Sequence, residues 1–163
     1  MEPVALIEVL TQIAGAHGVG RGMHVGDTIL GIKGRVAFEA PAALTLIAAH
    51  RELEKLVLSR WQQFQKAQLG DFYGMLLHEG QFFDPVMRDL EAYIDASQER
   101  VSGEVTVELF KGSARVVGAS SPHSMFNTGV ATYGETNTLW DGRDAAGFTQ
   151  IAGIQAFLAS RAG

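Results

Sequence analysis

SQERVSGEVTVELFKGSARVVGASSPHS, residues Ser97 to Ser124, is the stretch whose reading settles the architecture. It runs from a helix end through a β-hairpin into a Ser-Ser-Pro-His-Ser loop. Between Val101 and Leu109, the residues Val101, Gly103, Val105, Val107 and Leu109 alternate with Ser102, Glu104, Thr106 and Glu108. A period of two puts one set of side chains on a buried face and the other in water. Lys111-Gly112 then supplies the positive-φ residue of a tight turn, and Ala114 to Gly118 forms the return strand.

Upstream of the hairpin the period changes to that of helices. Pro3 suits a first helical turn, and Val4, Ile7, Leu10, Ile13 and Ala14 share a face that ends near Gly15 and Gly18. Pro41 opens a second helix with Leu46, Ile47, His50, Leu53 and Val57 on one side. Ser59 and Gln62 have capping-box spacing for a third, whose stripe is Trp61, Phe64, Leu69, Phe72 and Leu76. Asp84-Pro85 is a cap followed by proline, starting a fourth. The glycine-rich segment from Gly15 to Gly22 leads into an extended or looping run from His24 to Phe38, with a strand expected around Thr28 to Lys33. After an irregular stretch from Ala119 to Gly142, a last helix begins at Asp144. Its apolar side, Phe148, Ile151, Ile154, Phe157 and Leu158, needs a partner surface, on its own domain or on another subunit. The expected class is α+β: one domain, 1–163, with a small, mostly antiparallel sheet, helices packed on it and a C-terminal helix.

Composition bounds what such a domain does. A formal charge of −5 argues against an electrostatic nucleic-acid partner. No run of about 18 apolar residues is present to span a membrane, and Met1-Glu2-Pro3 lacks the features of a signal peptide. With no cysteine, disulfides and thiolate chemistry are excluded, which fits a cytoplasmic protein.

Most motif-like features fail a context test. The glycines between Gly15 and Gly22 follow a helix and lead toward a strand, the reverse of a dinucleotide fingerprint, and no Gly-Lys-Ser/Thr ending makes a P-loop. His17, His24, His50, His78 and His123 are dispersed, and His78-Glu79 lacks a second histidine four residues on. Ser120, Ser121 and Ser124 have no nucleophile elbow and suit a turn around Pro122. Glu91, Asp95 and Glu99 read as a solvated helix face. Met23 to Glu39 is the most credible site, because it gathers Asp27, Thr28, Lys33, Arg35 and Glu39 beside glycines. Alternation puts Lys33 and Arg35 on one face, opposite Ile32, as holders of a carboxylate or phosphate or simply as charges on a wet strand.

The wording of the chain resembles the C-terminal part of argininosuccinate synthase. The Ser97-Gln98-Glu99 passage runs through Lys111-Gly112 to Val116-Val117-Gly118 and then Ser121-Pro122, in that family's order. Gly18-Val19-Gly20-Arg21, Gly31-Ile32-Lys33 with Arg35, Glu39-Ala40-Pro41 and Ala49-His50-Arg51 with Leu53-Glu54 follow the same pattern. So do Tyr73, Gly80, Phe83, Pro85, Asp144-Ala145 and Gly147-Phe148. The family's Ser-Gly-Gly-Leu-Asp-Thr-Ser phosphate loop has no counterpart here.

The resemblance implies a ligase half. The complete enzyme would activate citrulline with ATP and magnesium, releasing pyrophosphate, and the aspartate amine would displace AMP. An N-terminal half would bind ATP and aspartate. The present half would bind no cofactor alone, cover the cleft, contribute to citrulline binding and use its last helix to build a homotetramer. At the family's citrulline-binding glutamate and tyrosine positions stand Gly26 and Phe38, with Asp27 adjacent as a candidate acid. Gly26, Asp27, Lys33, Arg35 and Phe38 are thus the expected substrate-binding positions. A stand-alone, non-catalytic binding or regulatory module that keeps the fold is the alternative.

Overall fold

The computed structural model describes residues 1–129 and 139–162. Helix α1 (Pro3–Ala16) leads to strands β1 (Arg21–Asp27) and β2 (Lys33–Glu39), then to helices α2 (Pro41–Val57), α3 (Arg60–His78) and α4 (Pro85–Gln98). Strands β3 (Glu104–Phe110) and β4 (Ser113–Ser120) follow, and helices α5 (Gly142–Ala152) and α6 (Ile154–Arg161) close the order. The class is α+β. Each pair of consecutive strands forms its own two-stranded antiparallel ladder. Contacts divide the chain into two compact units, Met1–Met125 and Phe126–Gly163.

Within the first unit α2 is the centre, packed against α1 on one side and against β3 and β4 on another, while α3 packs on α4. The buried apolar residues are Ala14, Val19, Ala42, Leu53, Val57, Leu58, Met87 and Leu90. This core is small. Of the α1 stripe only Ala14 is fully enclosed, whereas Val4, Ile7 and Ile13 stay largely in solvent. Two backbone approaches hold the layers together. A β-carbon on Gly20, whose φ is +86°, would lie 2.5 Å from the Pro41 backbone. One on Gly103 would collide with the Ser120 carbonyl and the Leu53 side chain.

The helix starts follow their local chemistry. The Ser59 hydroxyl accepts from the Gln62 amide while Gln62 Oε1 accepts from the Ser59 amide, a reciprocal cap. Asp84 accepts from the Val86 amide ahead of α4. In β3, half-buried Val105, Val107 and Leu109 alternate with exposed Glu104, Thr106 and Glu108, as the period of two predicts. Lys111 (φ 44°) and Gly112 (φ 85°) make the turn, and the Gly112 amide donates to the His17 carbonyl at the end of α1. After β4, Ser121 Oγ donates to the Ser102 carbonyl and accepts from the His123 amide, the turn role expected of these serines.

Three expectations need correction. Thr28 to Lys33 is not a strand but the loop joining β1 to β2. The Thr28 amide donates to the Ile32 carbonyl, the Ile32 amide donates to Thr28 Oγ1, and Gly31 turns the chain at φ +74°. Ile29, Leu30 and Ile32 imitate strand composition, yet they occupy the exposed loop. The C-terminal helix is two helices, α5 from Gly142 and α6 from Ile154, separated at Gly153. Of the expected irregular stretch, Ala119 and Ser120 continue β4, while 130–138 lie outside the described residues.

Candidate functional site

The β1–β2 ladder carries every expected substrate-binding position, and its register sorts them onto two faces. Arg21 pairs with Glu39, Met23 with Ala37, Val25 with Arg35 and Asp27 with Lys33. Side chains at directly opposed positions share a face. Asp27, Lys33 and Arg35 are therefore together, as the alternation of β2 predicts. On this face Lys33 Nζ lies 2.8 Å from both Asp27 carboxylate oxygens, and Arg21 Nε lies 3.0 Å from Glu39 Oε1. Both pairs are open to water, where such contacts contribute little. Arg35 makes no ion pair among the described residues, leaving a complete guanidinium fork for a planar anion.

Gly26 and Phe38 belong to the opposite face, with Gly22, His24, Gly34 and Val36. The Phe38 ring covers Gly22, where an added β-carbon would lie 2.8 Å from Phe38 Cζ. The His24 imidazole covers Gly26, so a side chain at position 26 would collide with it. His24 is thus the polar group filling the room that a side chain at 26 would take. Its role was not read from the sequence, although the i, i+2 spacing of His24 and Gly26 is the signal that carried it. Asp27 points to the other face and its carboxylate is already engaged by Lys33.

The hairpin has little support of its own. Met23, Val25, Ile29, Leu30, Ile32 and Val36 are between 60% and 82% exposed. An isolated two-stranded ladder is marginal in water. Apolar side chains on both faces of one need an additional surface.

A second constellation joins three helices. Glu54 on α2 is buried, and its Oε1 receives Lys66 Nζ from α3 at 2.8 Å, Gln98 Nε2 from α4 at 2.9 Å and His50 Nε2 at 3.2 Å. His50 Nε2 also lies 2.8 Å from Gln98 Oε1, so the ring proton belongs on Nε2, facing two acceptors. A buried carboxylate with three donors is satisfied and fixed. Nearby, Glu91 on α4 accepts from the Tyr73 hydroxyl at 3.0 Å and from Arg88 Nη2 at 2.8 Å. The hydrogen bond to Glu91 is the main cause that raises the Tyr73 phenol above its ordinary pKa, with burial adding to it. Glu91 is accordingly half-buried and bonded, unlike exposed Asp95 and Glu99 in its row.

Among the described residues no three histidine, aspartate or glutamate side chains gather as a metal site, and no helix is long and apolar enough to cross a membrane. In the second unit, α5 forms an apolar hollow of about 330 Å³ lined by Trp140, Ala145 and Phe148 with Asp144 and Thr149.

The family described as Arginosuccinate synthase C-terminal domain matches residues 1–159. The chain belongs to this family. Among curated relatives, the argininosuccinate synthase of Methanocaldococcus jannaschii is 43% identical over 158 residues, covering 97% of this chain and 40% of that protein. That of Acaryochloris marina is 45% identical over 154 residues, 94% of this chain and 38% of that one. That of Pyrococcus furiosus is 43% identical over 159 residues, 98% and 38% respectively. The chain therefore spans about two fifths of the length of these argininosuccinate synthases, and the β1–β2 hairpin lies inside the shared region.

Proposed function

We propose that this domain serves as the C-terminal part of an argininosuccinate synthase, a ligase joining citrulline and aspartate at the expense of ATP. In this reading an ATP-binding half, with magnesium, forms the citrullyl adenylate and pyrophosphate. The present domain closes the cleft with its β1–β2 hairpin. The observation that carries the reading is that hairpin: apolar on both faces, projecting without cover, in a chain two fifths the length of its relatives. A surface from the ATP-binding half would bury it.

The two faces divide the work. The His24, Gly26 and Phe38 face lies at the positions where the resemblance puts citrulline contacts, and there a histidine is the polar group. The opposite face offers Arg35 for an anionic group, with Asp27 and Lys33 holding each other in place. The exposed Phe148, Ile151, Ile154, Phe157 and Leu158 of α5 and α6 supply the apolar surface for subunit contact, with a homotetramer as the expected assembly.

The test is pyrophosphate release from ATP, citrulline and aspartate, with and without an added ATP-binding half of the same family. Activity is expected only in the mixture. Silence in the mixture, with the partner folded and bound, would point to a non-catalytic module. Turnover by the chain alone would contradict the division of labour.

A further inference from the structure

We propose, on the reading that an ATP-binding half covers the hairpin, that the outer edge of β2 is where that half attaches. The occupant is an extended segment of the ATP-binding half, added as a third strand and carrying a carboxylate beside Arg35. The parity of the ladder identifies the groups that receive it. The Ala40 amide donates to the Gly20 carbonyl and the Thr28 amide to the Ile32 carbonyl. In the unbroken register between them, the hydrogen-bonded pairs are Gly22 with Phe38, His24 with Val36 and Gly26 with Gly34. The amides and carbonyls of Lys33, Arg35, Ala37 and Glu39 therefore point away from β1. Among the described residues no hydrogen bond reaches them, and the ladder has no third strand.

In the uncovered hairpin, water satisfies these groups. A surface that encloses Val36 and Phe38 on one face and Val25 and Met23 on the other removes that water, and buried amides and carbonyls need partners. The cover has to bring hydrogen bonds as well as apolar area, and an added strand brings both. β2 suits this better than β1, which is interrupted by Gly22 and Gly26, whereas Arg35 to Phe38 contains neither glycine nor proline. Nor does β2 carry the bulge that would blunt an edge, in contrast to the register shift at Thr106 and Val107 of β3. Its one lysine, Lys33, sits at the end and is held by Asp27. Arg35 makes no ion pair among the described residues, so a carboxylate on the neighbouring strand completes the charge pattern of that face. About three fifths of the length of the relatives lies outside the matched region, ample chain to supply the strand.

The experiment is residue-resolved amide hydrogen exchange on the full chain, alone and with an added ATP-binding half of the same family, with association followed separately by light scattering. In the complex the Arg35 and Ala37 amides should slow by roughly 100-fold or more, and those of Met23 and Val25 on the β1 edge by less than about tenfold. Ala37→Pro removes an outward donor without touching a ladder bond and should weaken association about tenfold, whereas Ala37→Ser keeps the amide and should change it less than about twofold. Arg35→Gln should weaken association roughly fivefold, and less at high salt. The wild-type exchange pattern locates the edge without any variant. Unchanged exchange at Arg35 and Ala37 in a complex that does form would overturn the strand addition and leave the wider reading standing. Failure of the two halves to associate would overturn both. Slowing of the same amides in the chain alone, growing with its concentration, would give the edge to a second copy and overturn the assignment.

Discussion

Single atoms decide much of this fold. Gly20 is required twice, by its positive φ and by the Pro41 backbone against it. Gly20→Ala should destabilise the chain by on the order of 3 kcal/mol in urea unfolding, since the two backbones would have to separate. Glu54→Ala removes the acceptor shared by Lys66, Gln98 and His50, at an expected cost of about 2 kcal/mol, reduced from that of a fully buried pair by the exposure of Lys66 and His50. Glu54→Gln should cost less, because an amide oxygen still accepts. Tyr73 sets a pH dependence with a definite sign. Its folded pKa lies above the unfolded value of about 10, so the stability from its bond to Glu91 is whole below that pH. That stability is lost as pH rises through the folded value. In a tyrosinate absorbance titration, Tyr73→Phe should remove a component lying above the ordinary tyrosine range, and Glu91→Gln should move that component down.

At the scale of elements, what was legible in the sequence was local. The β3–β4 hairpin, the Ser59 and Asp84 caps and the proline-led helices rest on residues within a few positions of one another, and all formed as read. The strand expected at Thr28 to Lys33 failed because Ile29, Leu30 and Ile32 are apolar yet exposed, and composition cannot tell an exposed apolar loop from a core strand. The site was half legible. Alternation grouped Lys33 with Arg35, but separating Asp27 from Gly26 and Phe38 needed the register. His24 over Gly26 also needed coordinates. The Glu54 junction was hidden because Gln98 is 44 residues away along the chain. Elements also carry their own test. Lys111 adopts the left-handed conformation with a full side chain, which asparagine or glycine tolerates better. Lys111→Asn should stabilise the hairpin by roughly 0.5 kcal/mol, read as a raised thermal midpoint.

Apolar side chains stay exposed on the hairpin, α1 and the Trp61 and Phe64 end of α3 in the first unit, and on both helices of the second. The isolated chain should therefore self-associate and bind an apolar dye, and both signals should fall when the ATP-binding half is added. Light scattering showing a clean monomer without dye binding would count against this. One joint has a different kind of consequence. Where the hairpin meets the body, the Ala40 amide donates to the Gly20 carbonyl at 2.8 Å, and the Arg21–Glu39 pair stands just beyond it. The attachment is made of backbone at the neck, so the residues past it can be exchanged without disturbing Met87, Leu90 or Leu53. The hairpin behaves as a removable cassette on a fixed mount. Substitutions past the neck, at positions such as Gly26 and Phe38, can accumulate over evolutionary time while the scaffold stays as it is.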